Sequence, residues 1–268
     1  MAAETIAVLS QKGGTGKTTT VRTLADALRR VELRTLAIDL DPQGNLSDYF
    51  DVAPDAEPTI GDVLAGRAKA SAAVHDDIIP ANLGLAEAEL VLSGKMGREL
   101  TLRKALKDVS SDYDVILIDC PPALGLLTVN ALVAADHALI SSEAQYFAMQ
   151  GVEQALEVIE LARDNLNPDL EWLGVVLNIA DMRTVHSREA YKTLRESFDD
   201  KAFMTSVRQS IAYAESAERA VSILDFRPDL AADYLALADE VLERLGFSDA
   251  RRRLQPMLDG VPARRVSS

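Results

Sequence analysis

TIAVLSQKGGTGKTTTVRTLADALRR, residues 5–30, reads as a strand, a glycine-rich loop and a helix in one unbroken run. The first six residues form a strand-length apolar segment ending at Ser10, and a helical pattern opens at Lys17 and runs to Arg30. Between them QKGGTGKTTT, residues 11–20, sets Gly13, Gly14 and Gly16 beside Thr15, Lys17, Thr18 and Thr19. Backbone N–H groups of such a loop wrap phosphate oxygens, and the helix N-terminus adds its partial positive charge. The strict pattern G-x-x-x-x-G-K-[ST] is not met, because Gln11 stands at its first glycine. Phosphate binding accounts for Lys17 and leaves open whether Lys12 is a solvated loop lysine or has a task beyond its own subunit.

Outward from this unit, short apolar runs alternate with helical stretches. TLAIDL (35–40), DVILID (114–119), HALISS (137–142) and WLGVVLN (172–178) read as strands. Residues 101–107, 150–165, 187–197 and 230–245 read as helices. This rhythm predicts an α/β domain with a mostly parallel, doubly wound sheet flanked by helices. Residues 51–97, with Pro54, Pro58 and Pro80, are the least regular part and are expected to elaborate one edge. The organisation expected is one domain over residues 1–248 and a flexible, basic C-terminal tail over 249–268, carrying Arg251, Arg252, Arg253, Arg264 and Arg265.

Lys and Arg number 28 against 42 Asp and Glu, a formal net charge of -14. A field of that sign repels nucleic acid and anionic membranes, so contact with either needs a local basic patch. The single cysteine, Cys120, excludes an internal disulfide framework and a cysteine-built cluster, which makes a reducing cytoplasm the expected location. No signal peptide is read before the first strand, and no apolar run approaches the roughly 20 residues of a membrane span.

Three carboxylates stand at predicted strand ends. Asp39 and Asp41 lie two apart in IDLDPQGN, so strand alternation is expected to point them the same way, toward the end of a parallel sheet where ligands bind. Asp-Pro followed by Gly44 and Asn45 is also ordinary turn chemistry. DVILIDCPP finishes in Asp119, the expected position of an aspartate acting on Mg²⁺ through water. Cys120 beside it reads as a small buried residue rather than a nucleophile.

KGGTGKTT, residues 12–19, resembles the deviant Walker A loop of the ParA/MinD family of ATPases. The likeness continues through DPQGN (41–45), IDCPPALGLLTVNAL (118–132), EAQYFAMQGVEQ (143–154), LNPDLEWLGVVLN (166–178) and DMRT (181–184), across most of residues 4–245. It is nearer to the ParA/Soj-like partitioning branch than to MinD. The resemblance implies a single P-loop α/β domain that binds ATP and Mg²⁺. It assigns Lys17 to the terminal phosphates, Thr18 and Asp119 to Mg²⁺, Asp39 to the surroundings of the ion and loop, and Asp41 to the attacking water. Lys12 is implied to reach the nucleotide of the other subunit, which makes the chain a homodimer in its ATP state. Gly13 to Thr19, Asn178, Arg208 and Ser210 are implied nucleotide contacts.

The same resemblance implies that the ATP dimer binds nonspecific double-stranded DNA and works with a ParB-like adaptor in chromosome or plasmid partition, in the cytoplasm and on the nucleoid. Arg183 matches the arginine of the family's D-x-R segment, and Arg188 and Lys192 follow it at helical spacing. The family's I-P-R-N-V-R segment has drifted: in SVRQSIAYAESA (206–217) Arg208 holds the proline position and Ser210 the asparagine position. Arg208 and Arg219 are expected to supply part of the missing DNA contact. With no arginine in the phosphate loop, intrinsic hydrolysis is expected to be slow and partner-stimulated, since an arginine finger is worth about 10³ to 10⁵ in rate. The alternatives are a ParA-like device that positions another cargo, a metabolic synthetase, and a MinD-like membrane switch. Leu254, Met257, Leu258 and Val261 have the spacing of an interfacial helix, which Pro256 and Gly260 are expected to interrupt, making a membrane partner the weaker expectation.

Overall fold

The computed structural model describes residues 3–144 and 148–260. In chain order the elements are β1 (Glu4–Leu9), α1 (Lys17–Arg30), β2 (Thr35–Asp39), α2 (Asn45–Tyr49), α3 (Ile60–Ala65), β3 (Ile78–Ile79), α4 (Gly84–Ser93), α5 (Thr101–Leu106), β4 (Val115–Asp119) and α6 (Leu126–Ala134). There follow β5 (His137–Glu143), α7 (Ala148–Asn165), β6 (Glu171–Ala180), α8 (Val185–Phe198), β7 (Ala202–Arg208), α9 (Ala212–Glu218), α10 (Ile223–Phe226), α11 (Pro228–Arg244) and α12 (Ser248–Asp259).

The strands form one parallel sheet in the order β3-β2-β4-β1-β5-β6-β7. Alternation along each strand sends side chains to two separate cores, as a parallel sheet covered on both faces requires. Ala7, Leu9, Ile116 and Ile118 face a core closed by α3 to α8, whereas Ile6, Val8, Val115 and Leu117 face one closed by α1, α11 and α12. From β1 the chain winds to β2 and β3, returns as β4 and crosses to β5, β6 and β7 on the far side. A crevice at this reversal, beyond the carboxyl ends of the strands, is where such folds bind ligands.

The five strands expected from sequence are present, and the irregular 51–97 region lies over the β3 edge. Two strands were not legible: β3 is two residues long, and β7, AFMTSVR, carries no clean alternation. Residues 249–259 differ from the expected flexible tail by forming α12. Leu254 is fully buried, and Met257 and Leu258 pack against the same core. Two of its three arginines turn back to the body: Arg251 pairs with Asp239 (2.8 Å) and Glu243 (2.7 Å), and Arg253 Nε donates to the Val31 carbonyl (2.8 Å). Pro256 sits within the last turns of α12 rather than interrupting it. The stripe with the spacing of an interfacial helix is therefore spent on the fold at Leu254, Met257 and Leu258; Val261, Arg264 and Arg265 lie outside the described residues. No helix among the described residues is long and apolar enough to cross a membrane.

Candidate functional site

The site begins at Ser10, where β1 ends and the loop opens. Gly14 (φ +77°) and Gly16 (φ +81°) take left-handed conformations that residues with a Cβ rarely adopt. A Cβ at Gly16 would also lie 3.3 Å from the Asn178 amide. Ser10 Oγ donates to the Lys12 carbonyl (2.6 Å) and accepts from Thr15 Oγ1 (3.0 Å) and Lys17 Nζ (2.9 Å). The Lys17 ammonium is thus drawn into the loop with its side chain buried, while Lys12 is exposed on the outer lip.

Asn178, at the end of β6, supports the loop from below. Its Nδ2 donates to Ser141 Oγ (2.7 Å) and Thr20 Oγ1 (3.2 Å), and Ser141 Oγ donates to the Thr15 carbonyl (2.7 Å). Its amide therefore braces the phosphate end of the cleft.

Asp39 and Asp119 are register partners at the ends of adjacent strands, both buried. Burial, then the neighbouring Asp39 charge, raises the Asp119 pKa to about 8, against the hydrogen bond from Thr18 Oγ1 (2.7 Å to Oδ2). Asp119 Oδ1 is buried and has no hydrogen-bond partner. A buried unpaired carboxylate oxygen beside a threonine hydroxyl suits a hard cation that takes one or two protein oxygens and fills its shell from phosphate and water. Thr18 and Asp119 fit Mg²⁺ in that way.

Asp39 differs from the expectation that it would point the same way as Asp41. It is wholly buried and accepts from the Asp41 N–H (3.1 Å), the Ser47 N–H (2.9 Å) and Ser47 Oγ (2.7 Å). Burial raises its pKa to about 6, opposed by the Ser47 hydrogen bonds. The reason is that β2 ends at Asp39, so alternation does not carry on to Asp41. Asp41 is half-buried, lines the cleft and accepts from the Gln43 N–H (3.0 Å) through Oδ1. Asp39 holds the turn; Asp41 faces the open space.

That space is a cleft of about 900 Å³ running from Gly13, Gly14, Lys17 and Thr18 to an end lined by Ile179, Val207, Ser210, Ile211 and Tyr213. One end is phosphate-sized and polar; the other is apolar enough for a base. Arg208 and Ser210 border the cleft, but the Arg208 Nε donates to Asp233 (2.7 Å). The remaining basic candidates lie outside the cleft. Arg183 is exposed and doubly bonded to Asp181 (2.8 and 2.9 Å), Arg188 donates to the Met182 and Arg183 carbonyls, and Lys192 pairs with Glu196 (3.5 Å). Arg219 stacks over Phe226, with its guanidinium 5.1 Å from the ring centroid.

The structure adds residues that sequence reasoning missed. Ser10, Ser47 and Ser141 organise the loop and the Asp39 turn, and nothing but their adjacency to motif residues or strand ends signals them. Ile179 holds φ +54°, rare for a β-branched residue, at the rim of the cleft. Tyr49 and Ser216, hydrogen-bonded across 167 positions, tie α2 to α9.

A family model described as an AAA domain matches residues 3–172. The sporulation initiation inhibitor protein Soj of Bacillus subtilis is 38% identical over 245 residues, covering 88% of this chain and 97% of that protein. The chromosome partitioning protein ParA of Myxococcus xanthus is 36% identical over 258 residues, 93% and 91% of the two chains. Among solved structures, cobyrinic acid a,c-diamide synthase from Mycobacterium smegmatis with bound ADP and magnesium gives a TM-score of 0.74 at 35% identity, over 86% of this chain and 93% of that one.

Proposed function

Because the chain belongs to the ParA/Soj family of P-loop nucleoside triphosphatases, we propose that it is an ATPase that dimerises on ATP, binds nonspecific duplex DNA as that dimer, and partitions or positions DNA with a ParB-like adaptor. One observation carries this reading: the two lysines of the loop have opposite surroundings. Lys17 is buried and bonded to Ser10, whereas Lys12 is exposed at the lip of the same loop. Lys12 does not line the cleft that Lys17 enters, which supports its assignment to the nucleotide of a partner subunit.

In this reading ATP lies along the cleft with its base toward Tyr213 and its phosphates against Gly13 to Thr19. The loop N–H groups and Lys17 hold the phosphates, and Thr18 with Asp119 holds Mg²⁺, which when bound neutralises charge on the phosphate oxygens. Asp41 orients a water for attack on the terminal phosphorus, its carboxylate fixed by the Gln43 N–H and its backbone by Asp39. Among the described residues lining the cleft Arg208 is the one arginine, and its guanidinium is committed to Asp233. No arginine lining the cleft is therefore left to stabilise charge developing in the transition state, which supports slow intrinsic hydrolysis, a cytoplasmic and nucleoid-bound timer released by its partner.

Dimerisation and ATPase rate, measured with and without duplex DNA at low and moderate salt, test this. ATP-dependent dimers that bind DNA and are lost in Lys12→Ala are the expected result; ATP dimers indifferent to DNA at low salt would remove the DNA part. A second reading, an ATP-dependent synthase, is favoured by a further cavity of about 530 Å³ against the Asp41 loop, lined by Gln43, Asp48, Glu57 and Arg67. Such an enzyme would turn over ATP as a monomer at a rate Lys12→Ala leaves unchanged.

A further inference from the structure

Position 208 is expected from sequence to touch both base and DNA, yet the structure commits its donors to the protein. Arg208 closes β7, and its backbone N–H (3.0 Å) and Nε (2.7 Å) both donate to Oδ2 of Asp233, while Nη2 donates to the Asp229 carbonyl. Asp233 lies on α11 and is 3% exposed. A carboxylate so placed is tolerated because a rigid guanidinium meets it with directed hydrogen bonds.

The next residue of α11 reaches the same cleft. Tyr234 packs edge-on against Tyr213 (5.8 Å between ring centroids, 83°), and its hydroxyl is 3.5 Å from Thr20 Oγ1. Thr20 in turn donates to the Gly16 carbonyl (2.8 Å). Two adjacent residues of one helix thus grip both ends of the cleft, Asp233 through Arg208 and Tyr234 through Tyr213 and Thr20. The segment that Arg208 anchors, residues 209–211, is a thin wall: it lines the cleft on one side and a groove of about 560 Å³ beside Asp181 and Arg183 on the other.

We propose that Arg208 is a positioning residue: with Asp233 it fixes the wall that selects the purine base, and it is a ligand of neither the base nor DNA. The inference rests on the cleft being a nucleotide site. It predicts that base selectivity depends on an ion pair that touches no ligand, because a wall one residue thick is only as well placed as its anchor.

The test is equilibrium binding of ADP, GDP and inorganic pyrophosphate, each with Mg²⁺, to the full chain and to Arg208→Met, Arg208→Lys and Asp233→Asn. Arg208→Met and Asp233→Asn are each expected to weaken ADP binding about tenfold and to narrow the ADP/GDP ratio, leaving pyrophosphate affinity unchanged. Their effects do not add in the double variant, since one pair is removed in both. Arg208→Lys recovers part of the ratio, because an ammonium reaches Asp233 but cannot also span to Asp229. Asp233→Asn keeps the test alive if Arg208→Met, which strands a buried carboxylate, does not fold. Unchanged ADP/GDP selectivity in the variants overturns the inference. So does a loss of duplex affinity in Arg208→Met with a salt slope lower by about one, which would make the arginine a phosphate ligand. A wild-type chain that binds neither diphosphate overturns the nucleotide reading as well, so the two failures are distinct.

Discussion

At the scale of single residues, the chemistry rests on where carboxylates sit relative to their donors. Asp39 depends on Ser47, whose hydroxyl donates to it and accepts from the Ala81 N–H (2.9 Å). Ser47→Ala leaves a buried carboxylate short of a donor and is expected to destabilise the fold by about 1–3 kcal/mol, read from chemical denaturation. The pH dependence follows from the raised Asp39 pKa. The folded chain binds this proton more tightly than the unfolded one, so the stability it gives is complete below the ordinary value of 3.8 and is lost as pH rises through about 6. Removing a donor to the charged form makes that form worse. The Ser47→Ala penalty, measured without nucleotide or Mg²⁺, is therefore larger at pH 8 than at pH 5; an equal penalty at both would show that Ser47 acts through packing alone.

Elements carry a different kind of dependence, because α11 and α12 hold the site without entering it. α11 anchors the cleft through Arg208, Tyr213 and Thr20, and α12 covers α11 and the last turn of α1 through Leu254 and the Arg253 bond to Val31. Leu254→Ala opens a cavity in a fully buried position and is expected to lower stability by about 2–5 kcal/mol. A freely dangling tail would show no change in thermal unfolding for the same substitution. α12 also shows how an element hides from sequence. Its arginines look like a basic tail until Asp239 and Glu243, one turn apart on the preceding helix, are placed beneath Arg251 and the end of α1 beneath Arg253.

The whole molecule sets the electrostatic problem for the proposed DNA contact: at a net charge of -14, approach to a polyanion needs a local basic patch. The exposed candidates Arg183, Arg188 and Lys192 would have to supply that contact locally, and Asp181 opposes them. The Arg183 hydrogen bonds hold the Asp181 pKa down to about 2, so at neutral pH the pair presents little net charge. If this surface meets DNA, Asp181→Asn strengthens duplex binding and steepens its salt dependence by up to about one counterion per subunit, while Arg188→Ala with Lys192→Ala flattens it by about two. Filter or anisotropy titrations over a salt series read both, and parallel slopes for all variants would place the DNA contact elsewhere. By itself the sequence determined the loop, its helix, the five apolar strands and the aspartates at or just past two strand ends, because each is written in contiguous residues with a period or a spacing. Only the tertiary structure decided that Asp39 is a brace and Asp41 the cleft residue, that Asn178 supports the loop from below, and that Arg208 faces Asp233. The Asn178 and Arg208 assignments depend on partners 25 to 158 positions away, and the burial that makes Asp39 a brace is formed across strands, so none of them leaves a local pattern in the chain.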